Sequence, residues 1–333
     1  MDLSVLVCCY NSAQRIRPTL EHLAKQKINS QIKWEVILID NNSNDNTSEF
    51  AKNIWLEVGD YIPFQVIPEL KPGLSNARKK GIDSAKGEIL IFCDDDNWFD
   101  ENYLQMSFDI MKMNMKIGML GGIGEEVLDI DKPIWFNKYK MAYAVGAQAD
   151  EDGDITFVKG YVYGAGAVIR KSVLIDIYSK GFVNQFSDRV KNILVSGGDN
   201  EIGYMIVLSG YKIYYSSKLK FKHYLPQSRL TISYLNRLIK GQSLTFYKVM
   251  CYEHYVLNKE FQFPKSRFYG SSKSLKNIIK LLLSFVKRDV SYLYFSLRFT
   301  SLAYERIYLL LYFNKFKIEI KRIENNIFIF RSK

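Results

Sequence analysis

Three short apolar runs, each breaking off into polar or acidic residues, constrain this chain more than any other feature. Leu3 to Cys9 (LSVLVCC) leads into Tyr10-Asn11, Trp34 to Ile39 (WEVILI) stops at Asp40, and Glu88 to Cys93 (EILIFC) runs into Asp94-Asp95-Asp96. Apolar runs this short, without polar alternation, suit strands buried on both faces. Helical segments separate them. Asn11-Ser12 and Pro18 mark one helix entry, the polar loop Asn41 to Thr47 can cap a helix over about 48–58, and another follows Lys71-Pro72-Gly73 over about 74–85. With Phe64 to Ile67 as a weaker strand, four strands alternate with helices and predict a parallel, three-layer α/β sheet. Ligands of such sheets lie outside the carboxyl ends of the strands. Tyr10, Asn11, Asp40 and Asp94 to Asp96 are therefore predicted to converge, although they are far apart in sequence.

Beyond Asn97 the pattern loosens. It predicts a helix near 103–115, a strand over about 157–169, and a helix from Asp199 to Ser209 ending at Gly210. From about Leu230 the chain reads as helical, with Leu275, Ile278, Ile279, Leu282, Phe285 and Val286 on one face. Residues 226–333 hold 20 Lys and Arg against 6 Asp and Glu, whereas residues 1–225 hold 26 against 29. The two parts thus have different tasks, and the basic, aromatic tail points to an anionic surface. Arg298, Glu305 and Arg306 interrupt the apolar segment 290–313, so it is expected to lie on a membrane and not cross it. The start of the chain lacks the pattern of a signal peptide, which predicts a cytoplasmic protein attached peripherally to the inner face of the membrane. Four cysteines without a Cys-x-x-Cys pair are expected to be free core thiols.

A strand-end carboxylate cluster suits chemistry in which negative charge must be neutralised as a bond to phosphate breaks. Asp94 and Asp96 could face one side together, with Asp96 as ligand to Mn²⁺ or Mg²⁺ and Asp94 or Asp95 reaching ribose hydroxyls. An isolated Asp triplet is usually a solvated turn; its position directly after a buried strand is what favours the functional reading. His223, after a predicted strand, is a further candidate ligand. Asp40 could accept from the imide N–H of a uracil base, and Arg78 could reach base or diphosphate. Asp199 follows the flexible Ser196-Gly197-Gly198 turn and opens a helix; it is the candidate general base, and Glu201 could bind an acceptor hydroxyl. Aspartate at a helix start is also an ordinary cap.

Taken in order, these segments resemble the family 2 glycosyltransferases, which have the GT-A fold, over about residues 2–229. Ser4 to Val7 with Tyr10-Asn11 resembles the family's first strand and nucleotide loop. Asp40 to Thr47, with Asn42 inside it, resembles its Asp-x-x-Ser-x-Asp-x-Thr stretch, and Gly73 to Arg78 the segment supplying an arginine. Asp94-Asp95-Asp96 matches the metal-binding Asp-x-Asp signature. Gly164-Ala165-Gly166 resembles the Gly-rich strand near the acceptor, and Gly198-Asp199-Asn200-Glu201 the Glu-Asp-x-Glu/Asp motif whose Asp is the base. The usual Glu is replaced by Gly198. Trp135 and Arg229 also resemble acceptor-side positions of bacterial members. The resemblance implies an inverting transfer from a nucleotide-sugar donor, a UDP-sugar, to a glycan or lipid-linked oligosaccharide acceptor in cell-surface polysaccharide assembly. It implies a catalytic unit over 1–229, divided into a nucleotide half (1–97) and an acceptor half (98–229); the basic, aromatic and helical pattern of the tail independently predicts a membrane-associating extension over 230–333.

Two other classes compete. A dinucleotide-dependent oxidoreductase would need Gly-x-Gly-x-x-Gly after the first strand, where Cys8-Cys9-Tyr10-Asn11 stands. A non-catalytic protein binding membrane or nucleic acid through its basic tail, on a degenerate glycosyltransferase fold, would leave the strand-end acids without a role; no nucleic-acid partner is expected.

Overall fold

The computed structural model describes residues 1–59, 61–186, 188–189, 194–260 and 291–331; within 291–331 it describes some side chains only. Nine strands form one mixed sheet in the spatial order β3-β2-β1-β4-β8-β6-β9-β5, with β7 paired to β9. The strands β1 (Leu3–Cys9), β2 (Trp34–Asp40), β3 (Phe64–Pro68) and β4 (Ile89–Asp94) are mutually parallel. Between them run α1 (Ile16–Ala24), α2 (Thr47–Val58) and α3 (Leu74–Ser84), as the alternating pattern predicts.

Side chains of a strand alternate between its two faces, and the apolar core divides accordingly. Leu6, Ile37, Ile39, Leu90 and Phe92 pack on α3, α6 (Lys171–Ser179) and α7 (Gly198–Leu208). Val5, Val7, Val36, Leu38 and Ile91 pack on α1, α2 and α4 (Tyr103–Met113). Both faces are covered, which is why these strands read as continuous apolar runs.

The second half of the sheet departs from the sequence expectation. Strand β8 (Val168–Arg170) runs antiparallel to both β4 and β6 (Ile117–Leu128), and β6 runs parallel to β9 (Lys212–Leu225). Short strands β5 (Asn97–Phe99) and β7 (Gly153–Asp154) pair antiparallel with β9. The strand expected over 157–169 shrinks to three residues, because Gly160 and Gly166 adopt left-handed φ of 75° and 72° and turn the chain. Strand β6 escaped notice because four glycines interrupt its apolar run.

The short helix α5 (Phe136–Tyr139) precedes a turn of 3-10 helix at 140–143. After β9 come α8 (Ile232–Leu257) and α9 (Ser291–Arg331), the latter kinked at Tyr312. Helix α8 starts cleanly because the Thr231 hydroxyl accepts from Tyr234 N at 3.1 Å. Phe313, Phe316, Ile320, Ile323 and Ile327 of α9 join the core formed with Tyr247, Cys251 and Tyr252 of α8. This part of the tail therefore packs on the body of the protein. The predicted apolar stripe from Leu275 to Val286 lies outside the described residues. Among the described residues no helix is long and apolar enough to cross a membrane. The four cysteines are unpaired.

Candidate active site

A cavity of about 790 Å³ opens at the carboxyl ends of β1, β2 and β4. Strand register aligns Cys9 with Asp40 and Cys8 with Asp94, so the three strand ends stand side by side. Asn11 and Asn42 turn the chain away from β1 and β2 at φ of 51° and 60°, a region that asparagine tolerates better than most residues. Tyr10 and Asn42 line the cavity with Asp94, Asp95 and Asp96.

Asp40 does not join them. Its carboxylate turns back into its own loop, where Oδ1 accepts from Ser43 N at 3.0 Å and Oδ2 from the Ser48 hydroxyl. The next residue, Asn41, lines the cavity instead. Its amide donates to Glu69 O and Lys71 O at 3.1 and 2.8 Å and accepts from Gly73 N at 2.7 Å, clamping the β3–α3 loop against the end of β2.

The three aspartates after β4 have different surroundings. Asp95 is held by the Ser12 hydroxyl and by Arg15 Nη2 at 2.6 Å, tying β4 to the turn after β1. Asp94 is half-buried near Arg78 and Asp96; desolvation first, opposed by Arg78 and reinforced by Asp96, raises its carboxyl above the usual range. Asp96 is 3% exposed. Burial alone would raise its carboxyl too, but Arg229 and then His223 outweigh burial and hold it well below the usual range. Arg229 Nη1 lies 2.7 Å from Asp96 Oδ2, and His223 Nε2 lies 3.4 Å from Oδ1.

The Asp96–His223 pair is the candidate place for a cation. His223 Nδ1 is buried and finds no hydrogen-bond partner among the described residues; with the ring proton there, the Nε2 lone pair could face a cation in place of its present approach to Asp96 Oδ1. No cluster of three His, Cys, Asp or Glu groups able to hold a metal is present among the described residues. The donor set therefore fits Mg²⁺ or Mn²⁺ only if the ion completes its shell on phosphate oxygens and water, as Mg²⁺ commonly does. Arg229 now occupies the other oxygen of Asp96.

Across the cavity, Asp199 sits in the first turn of α7, where the helix dipole favours an anion. Its Oδ2 accepts from Gly164 N at 2.7 Å, and its Oδ1 pairs with Arg78 Nη1. Gly164 is required here: a Cβ would strike both Arg78 and the Asp199 carboxylate. Burial works against the charge on Arg78, but Asp199, Asp94 and Asp188 together raise its pKa above the ordinary arginine value. The Arg78 guanidinium also lies 5.0 Å from the centre of the Phe92 ring.

Two predicted acceptor contacts are corrected. Trp135 is buried in a cluster with Phe136, Tyr143 and Leu230, because its indole packs on the Phe136 and Tyr143 rings. Glu201 is 1% exposed and points away from the cavity. It accepts from Gln185 N at 3.1 and 3.0 Å and from Tyr252 OH at 2.7 Å, so it braces α7 against the preceding loop and α8. Burial pushes its carboxyl up to about 8.

Sequence reasoning did not find Arg15, Asp188 or Arg189, all of which line the cavity or reach its acids. Nor did it find that α8 supplies a wall of the cavity through Tyr234, Arg237, Gln242, Thr245 and Val249. Tyr143 and Tyr234 stack there at 6.0 Å between centroids. The expected separation at residue 230 between a catalytic unit and a membrane extension thus cuts through the wall of the site.

A parallel β1–β4 core with acids at its mouth faces a second carboxylate, Asp199, across the cavity. Comparison with known proteins gives the family. The family model described as "Glycosyl transferase family 2" matches residues 4–178, and the chain belongs to that family of glycosyltransferases. A putative glycosyltransferase EpsH of Bacillus subtilis is 32% identical over 103 residues, 31% of this chain and 28% of that protein. The poly-beta-1,6-N-acetyl-D-glucosamine synthase of Staphylococcus aureus is 30% identical over 120 residues, 36% of this chain and 28% of that protein. The chain thus spans less than a third of either relative. Among solved structures, Staphylococcus aureus TarS 1–349 in complex with UDP matches with a TM-score of 0.54 at 17% identity, covering 95% of this chain and 92% of that one. The mannosyltransferase PcManGT of Pyrobaculum calidifontis, in complex with GDP-Man and Mn²⁺, matches with a TM-score of 0.61 at 16% identity, covering 93% and 87%. These two likenesses establish the GT-A fold.

Proposed function

We propose that the protein transfers a sugar, with inversion, from a UDP-sugar to a hydroxyl of a glycan or lipid-linked glycan during cell-surface polysaccharide assembly. The observation that carries this is the pairing of two acidic sites across one cavity. Asp94 and Asp96 stand at the end of β4, and Asp199 faces them from the first turn of α7 with Arg78 between.

In this reading Tyr10 and Asn42 border the nucleotide, while the Asn11 amide oxygen accepts from Asn44 N at 2.9 Å and holds the loop behind them; Asp94 lies toward the ribose, and Arg78 and Arg229 carry positive charge beside the diphosphate. Asp96 with His223 would hold a divalent ion, which supplies charge neutralisation at the leaving phosphate when bound. Asp199 takes the proton of the acceptor hydroxyl as that oxygen bonds to the anomeric carbon. The bond from that carbon to the phosphate oxygen breaks on the opposite side, and its electron pair leaves with the diphosphate. The Gly164 amide and Arg78 keep the Asp199 carboxylate aimed during this step. Gly164 and the Tyr143–Tyr234 pair border the acceptor side.

The test is calorimetric titration of UDP, GDP and CMP, with and without Mn²⁺, into the wild type and Asp96→Ala. Expected is UDP binding that Mn²⁺ strengthens and that the variant largely loses. UDP binding that is indifferent to both would overturn the metal assignment.

The catalytic unit is taken as residues 1–229 together with α8, and the remaining basic tail as a peripheral attachment to the inner face of the membrane. Supporting this are the excess of Lys and Arg beyond residue 226 and the interfacial attraction of such residues, about 1 kcal/mol each near an anionic surface. The full-length protein should co-sediment with phosphatidylserine-containing vesicles at low salt and leave them at high salt. Indifference to anionic vesicles would remove this part of the proposal.

A further inference from the structure

Asp188 occupies a place that neither the donor nor the acceptor reading uses. It is 6% exposed and lies in the loop before α7, at a left-handed φ of 51° that non-glycine residues rarely adopt. Its Oδ1 accepts from Gly198 N at 2.8 Å. Its Oδ2 accepts from Ser75 Oγ at 3.3 Å and lies 4.0 Å from Arg78 Nη1, the same nitrogen that pairs with Asp199. One buried guanidinium is therefore shared by two carboxylates, one from the loop and one from the helix.

Gly198 explains why the loop acid can come so close. A Cβ at 198 would lie 2.7 Å from Asp188 Cγ and collide with Oδ2. The space over the first residue of α7 is thus filled by the side chain at 188 and left free by the residue at 198. The loop is held from two sides: Glu201 accepts from Gln185 N and Phe186 N, and Leu74 N donates to Arg189 O at 3.3 Å.

We propose that Asp188 is the positioning residue for Asp199: its carboxylate replaces a side chain at 198, fixes the first turn of α7 and takes a share of Arg78. Asp199 is then aimed into the cavity without being neutralised by a private ion pair. This rests on Asp199 being the general base. Without Asp188, the Gly198 amide loses its acceptor and Arg78 is left to Asp199 and the neighbouring Asp94, which spoils the aim of the base. Burial and the neighbouring Asp199, partly offset by Arg78, push the Asp188 carboxyl up to about 6, which fits two acids crowding one cation.

The experiment follows nucleoside diphosphate release by the full-length protein as the sugar of UDP-glucose, UDP-galactose, UDP-N-acetylglucosamine or GDP-mannose passes to water, the acceptor oxygen from which Asp199 then takes the proton. The variants are Asp188→Ala, Asp199→Asn, and two doubles, Asp188→Ala with Gly198→Glu and Asp188→Ala with Gly198→Ala. Asp188→Ala should lower kcat about a hundredfold while KM changes by less than about threefold. The Glu-bearing double, which returns a carboxylate to the vacated space from the other side, should recover most of that loss, and the Ala-bearing double should not. If Asp188→Ala turns over within about twofold of wild type while Asp199→Asn is inactive, the proposal falls and the base assignment stands. Full activity in Asp199→Asn would instead remove the base assignment itself. Should Asp188→Ala fail to fold, the two doubles decide: equal rates in both overturn the proposal, because a filler without charge would then suffice.

Discussion

The two sides of the cavity are built by different means. On the strand side, residues 1–97, the groups hang from adjacent parallel strands, and backbone register alone sets Asp94 beside Cys8 and Asp40 beside Cys9. On the far side, Asp188, Asp199, Arg229 and Tyr234 come from a loop, a helix start, a 3-10 turn and a long helix. They are placed by side-chain bonds: Asp188 to the Gly198 amide, Asp199 to the Gly164 amide, Arg229 to Asp96. A site placed by a ladder fails when the fold fails. A site placed by individual polar contacts can be misaimed in a protein that is still folded.

Three substitutions test that contrast. The largest effect is expected on the far side: Asp199→Asn should cost about 10²- to 10⁴-fold in transfer rate, measured as diphosphate release, while UDP binding persists. Unfolding of this variant would mean that Asp199 is part of the scaffold, and the contrast would collapse. On the strand side, Leu38 is fully buried within β2. Leu38→Ala should cost about 2–5 kcal/mol in denaturant unfolding, with the rate per folded molecule preserved. A folded but inactive Leu38→Ala protein would show that the strands tune the chemistry directly.

The smallest effect concerns Glu201. Its folded carboxyl is pushed up to about 8 from a reference of 4.5, so the folded state holds that proton more tightly than the unfolded chain. Its favourable contribution is therefore complete below about 4.5 and is lost as pH rises toward about 8. Glu201→Gln cannot titrate there, and its melting temperature should fall less steeply across that window. Parallel pH profiles for the two proteins would indicate that the carboxylate is stably charged by its bonds to Gln185 N and Tyr252 OH.

The same contrast explains what could be read from the sequence. Strands β1, β2 and β4 announce themselves as apolar runs, and the rule that ligands gather at their carboxyl ends locates Asp94 and Asp96 before any coordinates. The rule stops one residue short at β2. It finds the strand end, but whether Asp40 or Asn41 faces the cavity depends on the turn at Asn42 and on which side chain Ser43 and Ser48 capture. Trp135 and Glu201 mislead for a related reason, since a large aromatic or an acid beside a motif looks functional until its burial is known. Asp188 leaves no local trace at all. Its meaning resides in contacts with Ser75 and Arg78, more than a hundred positions away, and in an absent side chain at Gly198. Strand β6 hides behind its glycines, which permit close approach but erase the apolar pattern.

Helix α8 serves two structures at once. Residues from Tyr234 to Val249 wall the cavity, while Tyr252 stacks on Tyr204 of α7 at 5.5 Å and Cys251 packs with Phe316 and Ile323 of α9. The natural seam for exchanging parts between such enzymes is therefore not the end of the sheet. A chimera joined at residue 230 would inherit one protein's floor and another's wall; one that moves α8 and the packed portion of α9 as a single block would keep that wall on its own support.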